Sequence, residues 1–203
     1  MRIGGFIGVF LASMAIGLSA SPAHATHIYL LKGFANVFST GLDTLQEKLT
    51  KRGYTATVHS YDDYESLGVQ AAKLQRDGKG PIIIIGHSLG ADTAFSMAEA
   101  MKGAPVALVV LFGPDRSMTV PANVARVMSF ATGSVTISKA RGFKGTIANM
   151  STAGDPSINH FNIEKIDRLH SKVIAEIGAI TGHNGTRTTA PQNSRDGNQH
   201  AAQ

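Results

Sequence analysis

Ile82, Ile83, Ile84 and Ile85 follow Pro81 in an unbroken row, and the chain then runs straight into Gly86, His87, Ser88, Leu89 and Gly90. Four consecutive β-branched residues without polar alternation suit a strand buried on both faces, the environment of an interior strand of a parallel sheet. From Ser88 to Lys102 the period changes, and Ala91, Ala94, Phe95, Ala98 and Met101 recur on one side of a helix. A buried strand therefore turns into an apolar-faced helix within a Gly-x-Ser-x-Gly segment. So sharp a turn forces its central residue into a strained backbone conformation and lifts that side chain above the sheet. Glycine is required at 86 and 90 because side chains there would collide with the turn and the neighbouring strand. The helix amino terminus beneath Ser88 favours developing negative charge.

The same alternation of elements fills the rest of the chain. Residues 27–31 form a short apolar run ended by Gly33, which predicts a strand. Thr40 and Asp43 resemble a capping box, and Leu42, Leu45 and Leu49 follow at helical spacing before Gly53. Tyr54 to Ser60 is rich in Thr, Val and Tyr, a strand composition, and Glu65 to Arg76 carries Leu67, Ala71 and Leu74 on one helical face. Val106 to Phe112 is a second continuous apolar strand, while Val124 to Phe130 and Thr146 to Met150 are weaker strand candidates. Ile163, Ile166, Val173, Ile177 and Ile180 mark a final amphipathic helix. Strands alternating with helices imply an α/β domain, a mostly parallel sheet with helices on both faces.

Both ends fall outside that domain. Arg2 is followed by an uncharged stretch from Ile3 to Ala20, a break at Ser21 and Pro22, and small residues at Ala23 and Ala25. This is the layout of a signal peptide over residues 1–25, cleaved after Ala25, and it predicts a periplasmic or secreted protein. Its glycines, serines and alanines dilute it as a membrane span, so no stable transmembrane anchor is expected after cleavage. Residues 182–203 contain no Leu, Ile, Val or Phe, too little apolar surface to offset the entropy of ordering, and read as a disordered polar tail. The α/β domain is thus residues 26–181. The chain has no cysteine, which excludes disulfide scaffolds, Cys-ligated metals and thiol nucleophiles. Its net charge of +5 comes with only 16% charged residues, a scarcity of acids rather than a basic nucleic-acid surface.

In its Gly86-to-Gly90 turn and its order of elements the chain resembles the α/β-hydrolase superfamily, specifically lipase- and esterase-like serine hydrolases. The resemblance implies a minimal α/β-hydrolase fold without a large lid. It also implies a catalytic triad in the order Ser, acid, His, because a serine needs a base to take its proton and a carboxylate to orient that base. Ser88 is the expected nucleophile. Among the histidines, His160 lies in a loop after the last strand and before the last helix, where the resemblance places the base. His170 falls in phase with the apolar face of that helix and reads as a packing residue. No Asp or Glu occurs from Arg116 to Gly154, and Asp92 and Glu99 belong to the elbow helix and should face away, which leaves Asp115, after the Val106–Phe112 strand, as the favoured acid and Asp155 in reserve. The turn after the next strand, Ala131 to Ser134, where such folds usually carry the acid, has none. The amide of Leu89 is expected to form the oxyanion hole with that of Phe34, which follows Lys32 and Gly33 where many relatives have His-Gly-x. Asn36, Phe38, His59 and His87 are weaker candidates for substrate contact, His87 with a side chain that should turn into packing.

These residues predict an exported serine hydrolase that cleaves carboxylic esters or thioesters, with small or acyl-chain substrates, through an acyl-enzyme. No cofactor, metal or nucleic-acid partner is expected. Two other readings share the scaffold: an acyltransferase, in which an alcohol or amine replaces water, and a non-catalytic envelope binding protein.

Overall fold

The computed structural model describes residues 25–34 and 39–182. The expected signal segment up to His24, the tail beyond Gly182, and the candidate contacts Asn36 and Phe38 lie outside the described residues.

Six parallel strands form the main sheet. They are β1 (His27–Lys32), β2 (Thr55–Ser60), β3 (Ile82–His87), β4 (Leu108–Phe112), β6 (Arg126–Ala131) and β8 (Thr146–Ser151), in the spatial order β2-β1-β3-β4-β6-β8. The helices are α1 (Thr40–Thr50), α2 (Tyr64–Arg76), α3 (Leu89–Ala100) and α4 (Asp167–Thr181). On one face of the sheet Leu31, Ile82, Ile84, Val109 and Leu111 pack with Leu67 and Ala71 of α2 and Ala94 and Met97 of α3. On the other, Ile28, Leu30, Ile83, Ile85, Val110 and Phe112 pack with Leu42 and Leu45 of α1 and Val173 and Ile177 of α4. The four isoleucines of β3 are wholly buried and divide alternately between these two cores, as the lack of polar alternation requires. Each contributes on the order of 2 kcal/mol of burial.

Two strands add what the residue pattern did not disclose. β5 (Met118–Val120) and β7 (Ile137–Lys139) pair in parallel as a separate two-stranded sheet. Asn149 of β8 holds it against the main sheet, accepting from the Ile137 amide at 3.1 Å and donating to the Ile137 carbonyl at 3.0 Å. This small sheet, β6 and their loops account for the chain between Asp115 and Gly145, so the described residues there include no helix and no large lid.

The capping expectation at α1 needs correction. The residue before the helix is Ser39, and its side chain makes no cap hydrogen bond. Its hydroxyl is used instead by the strand ends, as described below. The last predicted helix also divides. Ile163–Lys165 form a single 3-10 turn, and α4 begins only at Asp167.

Chain order explains where a site can form. From β1 the chain moves outward to β2, then crosses back to β3 on the opposite side of β1. The carboxyl ends of β1 and β3 therefore lie side by side with their connections leaving in opposite directions, the position at which open α/β sheets bind ligands. Register then aligns Leu31, Gly86 and Leu111, so that Gly33, Ser88 and Gly113 leave the sheet along one edge.

Candidate active site

Ser88 has φ 56° and ψ −125°, a left-side conformation that a side-chain-bearing residue adopts only under constraint. The constraint is visible on both sides. Its amide donates to the Phe112 carbonyl at 3.0 Å, and its carbonyl accepts from Asp92 inside α3 at 3.0 Å. The flanking glycines leave no alternative: a Cβ on Gly86 would lie 2.2 Å from the Gly90 carbonyl oxygen, and one on Gly90 would lie 2.0 Å from the Leu31 carbonyl oxygen. Gly33 completes the enclosure, since a Cβ there would come within 3.0 Å of Ser88 Cβ. Ser88 is thus held above the sheet edge, partly exposed, directly before α3.

His160 and Asp115 meet it there. His160 Nε2 is 2.9 Å from Ser88 Oγ, and His160 Nδ1 is 3.5 Å from Asp115 Oδ1. Asp115 Oδ2 also lies 3.5 Å from Ser88 Oγ, so the acid flanks the pair instead of standing behind the histidine. That triangle follows from chain geometry. The acid comes from the end of β4, the immediate neighbour of β3, and not from the end of β6 one strand further away. The turn after β6 carries no acid; a cleft of about 440 Å³ opens there, lined by Ser129, Gly133, Thr136 and Asn149 among others.

The reserve acid is engaged elsewhere. Asp155 pairs with Arg168 and accepts from the Ser157 amide at 3.0 Å and hydroxyl at 2.6 Å, which hold its carboxyl below the usual range. No contact joins it to His160.

Of the expected oxyanion donors, Leu89 is the first residue of α3, where its amide belongs to the free amino terminus of the helix. Phe34 follows Gly33, which is packed on Ser88, and its ring is exposed. Lys32 points away from this group, pairing with Asp43 in the first turn of α1 at 2.7 Å. His59 is not brought to the site. It bonds Thr57 at 2.8 Å, lies against Tyr29, and lines a separate shallow depression with Gln70 on the α2 side of the sheet. His87 does not line an accessible surface either, because it is 2% exposed. Its Nδ1 is 2.8 Å from Ser39 Oγ and its Nε2 is 2.9 Å from the His160 carbonyl oxygen. Burial lowers its pKa below the ordinary imidazole value.

Three residues around the site carry no motif. Asp92, a buried α3 side chain, accepts from the Asp115 amide at 3.3 Å and faces Arg116 at 3.6 Å. Burial raises its carboxyl above the usual range. Ser39 accepts from the Gly33 amide at 3.1 Å. Glu164 is fully buried, its carboxylate 3.6 Å from His87 Nε2 and without a hydrogen-bond partner of its own, and burial pushes its pKa up. Their one sequence signal is an acid or hydroxyl at a position that packing makes apolar. Among the described residues, no group of three or more His, Asp or Glu side chains is arranged to hold a metal ion.

A family model described as serine hydrolase matches residues 67–166, the segment from α2 to the turn before α4 that contains Ser88, Asp115 and His160. No curated protein matches the chain. Among solved structures, a protein from Xanthomonas campestris pv. campestris assigned as a hydrolase of the α/β superfamily is similar at 12% identity and a TM-score of 0.41, over 74% of this chain and 98% of that one.

Proposed function

We propose that the chain, whose parallel sheet is flanked by helices and whose residues 67–166 match a serine hydrolase family model, is a serine hydrolase that cleaves carboxylic esters or thioesters through an acyl-enzyme on Ser88. The observation that carries this reading is the 2.9 Å contact between Ser88 Oγ and His160 Nε2 at a strained elbow that offers the hydroxyl to solvent.

In this mechanism His160 accepts the Ser88 proton as Oγ bonds to the substrate carbonyl carbon. The carbonyl π electrons move to oxygen, which the amides of Leu89 and Phe34 stabilise together with the amino terminus of α3. Asp115 orients the imidazole and offsets its positive charge. Collapse of the tetrahedral intermediate breaks the bond to the leaving oxygen or sulfur, which takes the proton from His160. Water then adds to the acyl-enzyme by the same route and returns Ser88 to its hydroxyl form. An alcohol or amine in place of that water would make the protein an acyltransferase.

Two exposed rings support an acyl substrate with apolar character. Phe34 is 70% exposed and Phe161 is 64% exposed, and they adjoin Gly33 and His160 respectively. An aliphatic chain extending from the carbonyl would cover them. The segment 1–25 supports action in the periplasm or outside the cell. Turnover of p-nitrophenyl esters and acyl-thioesters by residues 26–203, compared with Ser88→Ala, tests the reading; equal turnover by both proteins would reject it.

A further inference from the structure

We propose that His87 is a positioning residue that ties the loop after β1, the elbow and the His160 loop into one unit through its two ring nitrogens. This rests on the reading of Ser88 and His160 as nucleophile and base. The direction of each bond follows by elimination. The His160 carbonyl can only accept, so His87 Nε2 carries a proton and donates to it at 2.9 Å. Burial keeps the ring neutral, so Nδ1 must accept, and the Ser39 hydroxyl is its donor at 2.8 Å. Ser39 Oγ in turn accepts from the Gly33 amide at 3.1 Å. A chain of three hydrogen bonds thus runs from the residue before Phe34, through the residue before Ser88, to the backbone of His160. It links the three segments that must hold oxyanion donor, nucleophile and base in register.

Glu164 supports the tautomer this chain requires. Its Oε2 lies 3.6 Å from His87 Nε2, where partial negative charge favours a proton on that nitrogen. Its main chain is clamped: a Cβ on Gly41 of α1 would lie 2.1 Å from the Glu164 carbonyl oxygen, which also bonds His170 Nε2 at 2.6 Å. The clamp sets the 3-10 turn against the start of α1, where Ser39 sits. The His87 and His160 rings lie 5.4 Å apart in a tilted arrangement. A displacement of about 1 Å in a catalytic group can cost on the order of 100-fold in rate.

The experiment measures kcat and KM for a p-nitrophenyl ester with the full domain and with His87→Ala, His87→Gln, His87→Asn, Ser39→Ala and Ser88→Ala. His87→Ala is expected to lower kcat by about 100-fold while KM changes by less than about threefold, as for a group that aligns the transition state and does not bind substrate. Glutamine can restore the donor to the His160 carbonyl, and asparagine the acceptor for Ser39, so each should recover roughly tenfold of the loss. Ser39→Ala should lower kcat about tenfold, and should cost much less than that when added to His87→Ala, because both break the same chain. The proposal is overturned by Ser39→Ala or a folded His87→Ala with kcat within threefold of the parent, or by effects that multiply in the double variant. If His87→Ala does not fold, Ser39→Ala and the glutamine variant decide. Turnover retained by Ser88→Ala would instead reject the underlying catalytic reading.

Discussion

Replacing Asp115 by Asn removes a charge beside His160, and the structure bounds the electrostatic part of the loss. When His160 holds the serine proton, its imidazolium faces Asp115 Oδ1 across 3.5 Å. Unit charges at that separation attract by about 1 kcal/mol at the dielectric constant of water and about 5 kcal/mol at an effective value of ~20. The Asp115 side chain is 50% exposed, which places the interaction in the lower half of that range, about 1–3 kcal/mol. That corresponds to roughly 5- to 150-fold in rate at about 1.4 kcal/mol per decade. A second loss adds to it. The Asn amide can donate to Nδ1, which leaves the proton on Nε2 and removes the acceptor for Ser88; mutational precedent for the wrong tautomer reaches about 10⁴-fold. Asp115→Asn is therefore expected to lower kcat/KM by 10²-fold or more on a soluble ester. Asp155→Asn, which loses only its Ser157 and Arg168 partners, should stay within about twofold. Steady-state kinetics on both variants, with circular dichroism to confirm folding, makes the comparison. An Asp115→Asn enzyme within threefold of the parent, or an Asp155→Asn enzyme equally impaired, would refute the assignment of the acid.

Four further outcomes follow from the structure. Gly90→Ala places a methyl 2.0 Å from the rigid Leu31 carbonyl oxygen; the elbow must shift, and the variant should lose both thermal stability, by about 1–3 kcal/mol, and esterase activity. A parent-like melting temperature and rate would contradict the packing described. Burial holds His87 and His170 below the ordinary imidazole value of 6.5, so the unfolded chain binds more protons than the native state just below that pH, and stability should fall as pH drops through it. Glu164 has the opposite sign: burial raises its carboxyl above the ordinary 4.5, so ionising it costs stability as pH rises. The melting temperature of Glu164→Gln relative to the parent should therefore be higher at about pH 8 than at about pH 5, and a gap that does not grow with pH would contradict the burial argument. Phe34→Ala and Phe161→Ala should lower kcat/KM severalfold for octanoyl esters and leave acetyl esters nearly unchanged; equal losses on both would remove the rings from acyl-chain contact.

The edge that carries the candidate site was legible where local sequence and topology coincide. The isoleucine run, the two glycines and the helical period after Ser88 are contiguous, so strand, elbow and helix could be read together. His160 could be selected because the α/β-hydrolase resemblance places the base in the loop before the last helix, whereas His170 falls on that helix's apolar face. The shortage of acids reduced the choice to Asp115 and Asp155, but only three-dimensional contacts set Asp115 beside His160 and turned Asp155 toward Arg168. Residues whose roles depend on distant partners left no such mark. Ser39 directly precedes a helix, yet its hydroxyl bridges Gly33 and His87, which are near it only in the folded state. Glu164 lies between Asn162 and Lys165, where nothing in the residue pattern predicts burial, and Asp92 looks like an ordinary polar position of α3 until β4 presents the Asp115 amide. The β5–β7 sheet leaves no mark in the residue pattern because each strand is three residues long, too short for any alternation to register.

The central claim is that Ser88 is the nucleophile. A fluorophosphonate probe incubated with residues 26–203, followed by peptide mass spectrometry, reads it directly. One covalent adduct per chain on the peptide carrying Ser88, abolished in Ser88→Ala and strongly slowed in His160→Ala, is the expected result. No adduct on the folded domain, or labelling that persists in Ser88→Ala, would contradict the account.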